Sequence, residues 1–189
     1  MPAYEQEQAF GGVIDVLEAI GASYAIWGGM AVVAYGEPRF TQDMDILLHP
    51  LGLNVSLFVR RLQEQHYHVD ELSVRNSLSG GFFNVIHLGY HIKIDFFVPQ
   101  DPALLAMIVE RVYLPFDALR RAAYVTPSAV VIAKLRAYQE SQSTRHLDDI
   151  ASIIRIQREK LDDKSLDMTA ARLGLLGVWR SLWAENRPR

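Results

Sequence analysis

Apolar side chains recur at helical spacing through Phe10, Val13, Ile14, Leu17 and Ile20, and Gly21 then ends the pattern, so the chain is expected to open on a helix with one buried stripe. Tyr24, Ala25, Ile26 and Trp27 form a short apolar run that predicts a buried strand feeding Gly28-Gly29. Met30, Val33 and Ala34 predict a second helix, which stops near Gly36 and Pro38. Strict alternation follows: Met44, Ile46 and Leu48 share one face of a second strand, and Asp43, Asp45 and Leu47 share the other. Val55, Phe58, Val59 and Leu62 mark a third amphipathic helix, whereas residues 67–78 are polar, without a period, and are assigned no element. Gly80-Gly81 announces a turn before a strand at 82–88, and Gly89-Tyr90 reads as a two-residue hairpin loop. In the return strand, 91–97, Ile92, Ile94 and Phe96 face one way and His91, Lys93 and Asp95 the other.

From Asp101 onward the pattern is read as helical, interrupted at Pro115 and at Thr126-Pro127. Thr126 suits a cap and Pro127 a first turn, for a helix bearing Val130, Val131, Lys134, Leu135 and Tyr138. After a polar link at 139–143, Thr144 is the expected cap of a helix whose core stripe is Leu147, Ile150, Ile153 and Ile154. Residues 161–183 supply one or two packing helices, with Trp179 and Trp183 one turn apart as core or an interface ridge.

The polar exceptions to this pattern carry the chemistry. Asp43 and Asp45 leave one strand face ~6–7 Å apart along it, a spacing at which two carboxylates repel unless a cation lies between them. A hard dication with oxygen ligands is the usual cation. Gly28-Gly29 ahead of a helix lets backbone N–H groups approach an anion closely. The segment from Tyr24 to Asp45, with apolar-Gly-Gly, a short helix and Asp-x-Asp, resembles the signature of the polymerase-β-type nucleotidyltransferase superfamily. Arg39, Thr41, Asp43 and Asp45, in the form Arg-x-Thr-x-Asp-x-Asp, look most like the abortive-infection-type (AbiEii-like) nucleotidyltransferase toxins. In the second half Lys134, Arg145 and Asp149 match that branch, but His146 stands where it usually has Asp.

The resemblance implies an α/β (α+β) fold: a mixed, partly antiparallel sheet flanked by helices, a nucleotidyltransferase core at 1–115, and a C-terminal helical region at 116–189. It implies a third carboxylate on a later strand, which carries over to Asp95. Asp43, Asp45 and Asp95 would then hold two Mg²⁺ ions and do the catalytic work, with Asp95 placed to take the acceptor proton. Gly28, Gly29, Arg39, Thr41, Lys134, Arg145 and Asp149 would form the nucleotide-binding set. The reaction would pass a nucleoside monophosphate from an NTP such as ATP to a hydroxyl of RNA (tRNA, for example) or protein, with a cognate antitoxin as a further partner. Two alternatives stand beside it: transfer to a small hydroxylated metabolite or antibiotic, and a non-catalytic nucleotide- or partner-binding module.

Composition changes this picture in three ways. The 189 residues include no cysteine, which removes disulfides, thiolate metal sites and cysteine nucleophiles and agrees with a cytoplasmic protein. His49, His87 and His91 lack ligand spacing for zinc. The first ten residues lack a signal-peptide pattern, and the longest weakly polar run, at 24–36, is too short to span a bilayer, so no membrane partner is expected. The net charge of −3 conceals an asymmetry: residues 1–110 hold 5 Lys/Arg against 13 Asp/Glu, and residues 111–189 hold 14 against 9. The acidic part contains the expected metal ligands, and the basic part suits a triphosphate or RNA.

Overall fold

The computed structural model describes residues 3–187, and the chain divides into two compact units, Met1–Trp27 with Gln42–Val125, and Gly28–Thr41 with Thr126–Arg189. In the first unit α1 (Ala3–Ala19), β1 (Tyr24–Trp27), β2 (Met44–Leu48) and α3 (Val55–Glu64) lie where the hydrophobic pattern expects them. The second unit contains α2 (Gly28–Tyr35). Asn54 caps α3 through its side-chain oxygen, which accepts from the Leu57 backbone N–H at 3.1 Å.

The polar stretch left unassigned is ordered into β3 (Tyr67–His68) and α4 (Glu71–Ser77). Its missing signal is local: Asp70 caps α4 by accepting from the Ser73 backbone N–H at 2.8 Å, while the buried apolar side chains are Tyr67, Val69 and Val74. β4 (Gly81–His87) and β5 (Ile92–Val98) form the expected hairpin, but its loop spans 88–91 rather than two residues. His91 takes φ 55°, and its N–H donates to the His87 carbonyl at 2.8 Å, so it closes the turn and is not part of the strand.

Beyond Asp101 the chain is not wholly helical. After α5 (Pro102–Val109) come β6 (Val112–Pro115) and β7 (Arg121–Tyr124), which pair antiparallel. Two alanines and a tyrosine make a weak strand pattern, yet Ala122, Ala123 and Tyr124 are buried because β7 also lies parallel to β1. Among the described residues seven strands form one mixed sheet in the order β3-β4-β5-β2-β1-β7-β6. β1 is antiparallel to β2, and β2 is parallel to β5.

One face of this sheet is pinned by aromatic packing. Phe96 on β5 stacks on Phe83 of β4 at 4.9 Å and meets Phe58 of α3 edge-on at 5.7 Å. Burying these rings is worth several kcal/mol in aggregate, about 1.5–3 kcal/mol each. Since successive strand residues alternate, fixing Phe96 inward turns Asp95 to the opposite face. Tyr24, fully buried, donates its hydroxyl to Glu18 at 2.7 Å; burial, with help from Glu18, pushes its ionisation far above the ordinary range.

The second unit is helical: α2 with α6 (Pro127–Ser141), α7 (Arg145–Gln157), α8 (Asp163–Arg172) and α9 (Leu176–Glu185). Thr126 caps α6 as expected, and α6 ends where Gln142 adopts a left-handed conformation, φ 56°. Thr144, in contrast, has helical dihedrals and its side chain makes no cap hydrogen bond. Ile150, Ile153 and Ile154 are fully buried, and Trp179 is buried with its indole N–H donating to Asp167 at 2.8 Å.

Candidate active site

Within the sheet, strand register does what the spacing of the carboxylates suggests. Asp45 of β2 lies directly beside Asp95 of β5, its parallel neighbour, and Asp43 precedes Asp45 by two residues. Neighbouring strands stand ~4.8 Å apart and side chains in register share a face. Asp45 and Asp95 are thereby presented on one face, and Asp43, just ahead of β2, lies near enough for its charge to act on Lys93. Asp43 is exposed, Asp45 half-buried, and the Asp95 side chain only 15% exposed.

Asp95 is held from both sides. Asn84, its register partner on β4, donates its side-chain N–H to Oδ1. Lys93, two residues earlier on β5, places its ammonium 2.7 Å from Oδ2. The hydrogen bond to Asp95 holds the Lys93 ammonium above the ordinary lysine value; partial desolvation opposes it, and the charges of Asp95, Asp43 and Asp45 add to it. A side-chain cation thus already sits in the field of all three acids. The donor chemistry fits a hard cation, which takes carboxylate oxygens. Among the described residues, however, no group of three His, Cys, Asp or Glu side chains is gathered as a metal cage, and both Asp95 oxygens are engaged with protein.

The same sheet face continues into an apolar groove of about 250 Å³, walled by Trp27, Phe97 and Leu104 and floored near Gly80 and Gly81. Trp27 is the register partner of Asp45, and its ring meets Phe97 edge-on at 5.3 Å. The Trp27 indole nitrogen is buried and has no hydrogen-bond partner.

The helical unit assembles most of the expected nucleotide-binding set into one cluster. Gly28 has φ 63°, a left-handed conformation that favours glycine. A Cβ at Gly29 would stand 2.5 Å from the Thr41 hydroxyl oxygen, so the Gly-Gly pair serves one backbone conformation and one close approach. Arg39 grips Asp149 through Nε at 2.8 Å and Nη2 at 3.2 Å, and Lys134 reaches the same carboxylate at 2.8 Å. Asp149 is 3% exposed, and these two cations are its counter-charges. Arg145 is exposed at the start of α7 and stands outside the cluster. His146 has a buried Nδ1 without a partner. Burial, followed by the positive charge of Lys134, lowers its ring pKa.

Sequence reasoning placed Lys93 on the acidic face without giving it a role, and missed Asn84 altogether. The alternation of 91–97 contained the first signal, because Lys93 and Asp95 are separated by two. Asn84 needed the β4–β5 register, which depends on the length of a loop that the sequence understated.

No protein-family model matches the chain, and no curated protein does. Solved structures do. The chain is similar to ANT(2'')-Ia in complex with adenylyl-2''-tobramycin, at TM-score 0.60 and 13% identity over 89% of this chain and 97% of that one. The solution structure of the same antibiotic-resistance factor gives TM-score 0.54 and 13% identity, covering 96% of this chain and 94% of that one. An antigenic nucleotidyltransferase-like protein from Paracoccidioides brasiliensis gives TM-score 0.56 and 16% identity, covering 99% and 95%. At such identities the likeness establishes the fold: this chain has the α+β fold of nucleotidyltransferases.

Proposed function

We propose that the chain is a metal-dependent nucleotidyltransferase, moving a nucleoside monophosphate from an NTP to a hydroxyl with release of pyrophosphate. The observation that carries this reading is the register of Asp45 with Asp95, which lays two of the three expected carboxylates side by side, with Asp43 just ahead of the same strand. These three carboxylates would hold Mg²⁺, two ions when fully loaded, and the metal supplies charge neutralisation and activation of an acceptor hydroxyl. Asp95 is also the group that would receive the hydroxyl proton. In the helical unit the Gly28-Gly29 turn would receive phosphate oxygens at its backbone, as glycine-rich turns ahead of helices do. Arg39, Thr41 and Lys134 would add hydrogen bonds and positive charge, with Asp149 as the buried anchor that aims the two cations. Arg145 would act only through its surface charge.

The acceptor favoured here is a small hydroxylated compound. Two things support it: the likeness to a structure that contains adenylyl-2''-tobramycin, and the modest volume of the groove beside Trp27 and Phe97. The second reading, transfer to RNA or protein by a toxin-like enzyme, draws on the Arg-x-Thr-x-Asp-x-Asp form and on Lys134 and Asp149 in the second half. A cognate antitoxin and a cytoplasmic setting belong to that reading. No helix among the described residues is long and apolar enough to cross a membrane.

A thermal-shift titration with ATP, GTP, CTP and UTP, with and without Mg²⁺, tests the reading. A metal-dependent transferase is stabilised by its NTP only when Mg²⁺ is present. Equal stabilisation without the ion would instead support the non-catalytic nucleotide-binding module.

A further inference from the structure

We propose that the Lys93 ammonium is the resident cation of the carboxylate face and competes with a divalent ion for Asp95. The inference rests on the reading of that face as a metal site and adds to it a residue that governs loading. β5 presents Lys93 and Asp95 on one side, and the ammonium reaches Asp95 Oδ2 at 2.7 Å while Asn84 takes Oδ1. Each Asp95 oxygen therefore already accepts one contact from the protein. An ion arriving at Oδ2 meets the Lys93 ammonium 2.7 Å from that oxygen, and it either displaces the lysine or tolerates its positive charge at a carboxylate little screened by water. Asp43 and Asp45 belong to β2 and its approach, a strand away from Lys93 and Asp95, and their charges add to the hold on the Lys93 ammonium.

The lysine can yield its place. Its side chain is 49% exposed and has a flexible four-carbon stem, so it can swing into water without leaving a buried cavity. Loading is therefore unequal: the ion that needs Asp95 is the more weakly held, because Lys93 competes with it. Asn84 keeps hold of Oδ1 in either case and orients the carboxylate.

Free Mn²⁺ followed by electron paramagnetic resonance counts bound ions and their affinities without any turnover. The full chain is compared as wild type, K93M, K93Q and K93R, with D45N as the control for the face itself. Removal of the charge in K93M and K93Q is expected to tighten the weaker Mn²⁺ site about tenfold or more, while K93R stays close to wild type. Circular dichroism of each variant establishes that it is folded; of the two neutral variants, either one suffices. An isotherm for K93M and K93Q that overlays the wild type, or shows weaker binding, overturns the competition. If Mn²⁺ binds all of these alike and D45N abolishes binding, the competition fails and the metal reading survives. If no variant binds Mn²⁺, both fall together.

Discussion

Asp45 and Asp95 are register partners on parallel strands, fifty residues apart in sequence and adjacent across a single row of sheet hydrogen bonds. Two carboxylates so placed repel each other, and a cation among them offsets that repulsion. Here Lys93 provides part of that compensation. Replacing either acid by its amide removes charge with almost no change of shape. D45N and D95N are therefore expected to fold as wild type, by circular dichroism and thermal midpoint, and to lose nucleotide transfer by at least about 100-fold, the scale of a lost electrostatic catalytic group.

Asp149 should matter to stability before it matters to chemistry. It is nearly inaccessible and holds Arg39 and Lys134 together, so D149A leaves two partly buried cations without their counter-charge. Breaking such a buried arrangement costs about 3–5 kcal/mol. Urea unfolding of D149A should show that loss in midpoint, whereas K134M, which leaves Arg39 in place, should cost less.

Gly29 and Thr41 should be coupled. G29A would drive a methyl to 2.5 Å from the Thr41 hydroxyl oxygen and 3.4 Å from its Cβ. The single variant is expected to lose about 1–3 kcal/mol as an overpacked site. G29A in a T41A background should lose clearly less, because the clashing oxygen is gone. Additive losses in this double-mutant cycle would mean that Thr41 does not pack on Gly29.

Much of this architecture was legible from alternation and glycine. The β2 and β5 faces, the Gly-Gly turn, and the caps at Thr126 and Pro127 are local features, and local features survive in sequence. What escaped depends on distant partners. β7 is a strand because Ala122, Ala123 and Tyr124 find β1, and nothing in Arg-Ala-Ala-Tyr announces that. β3 is two residues long and is made by pairing with β4. Thr144 has a cap residue's identity but a helical conformation, so its hydroxyl is not used as one. In the candidate site the residue types were readable, whereas the Asn84 and Lys93 contacts to Asp95 required the register. The grouping of Arg39 with Lys134 around Asp149 required the packing of α7 with α6.

His146 gives a pH dependence with a definite sign. Its ring pKa is lowered by burial and by Lys134, so the unfolded chain, near the ordinary value of ~6.5, takes up a proton first as pH falls. Stability from the neutral ring is fully present above that value and is lost as pH drops below it towards the folded-state pKa. His87 shifts in the same direction, through burial and then His66. The thermal midpoint of wild type should therefore fall between pH 7 and pH 5 by more than that of H146Q, and H87Q should remove a further share. An unchanged pH slope in H146Q would contradict the burial argument.

Asp45 and Asp95 on the β2–β5 face are the centre of the account, and label transfer tests them most directly. Purified wild type, D45N and D95N would be incubated with Mg²⁺, each α-labelled NTP in turn, and separate pools of small hydroxylated compounds and bulk tRNA. The account predicts that wild type moves label from at least one NTP to an acceptor and that both variants, though folded, do not. Label transfer undiminished in either variant would contradict it.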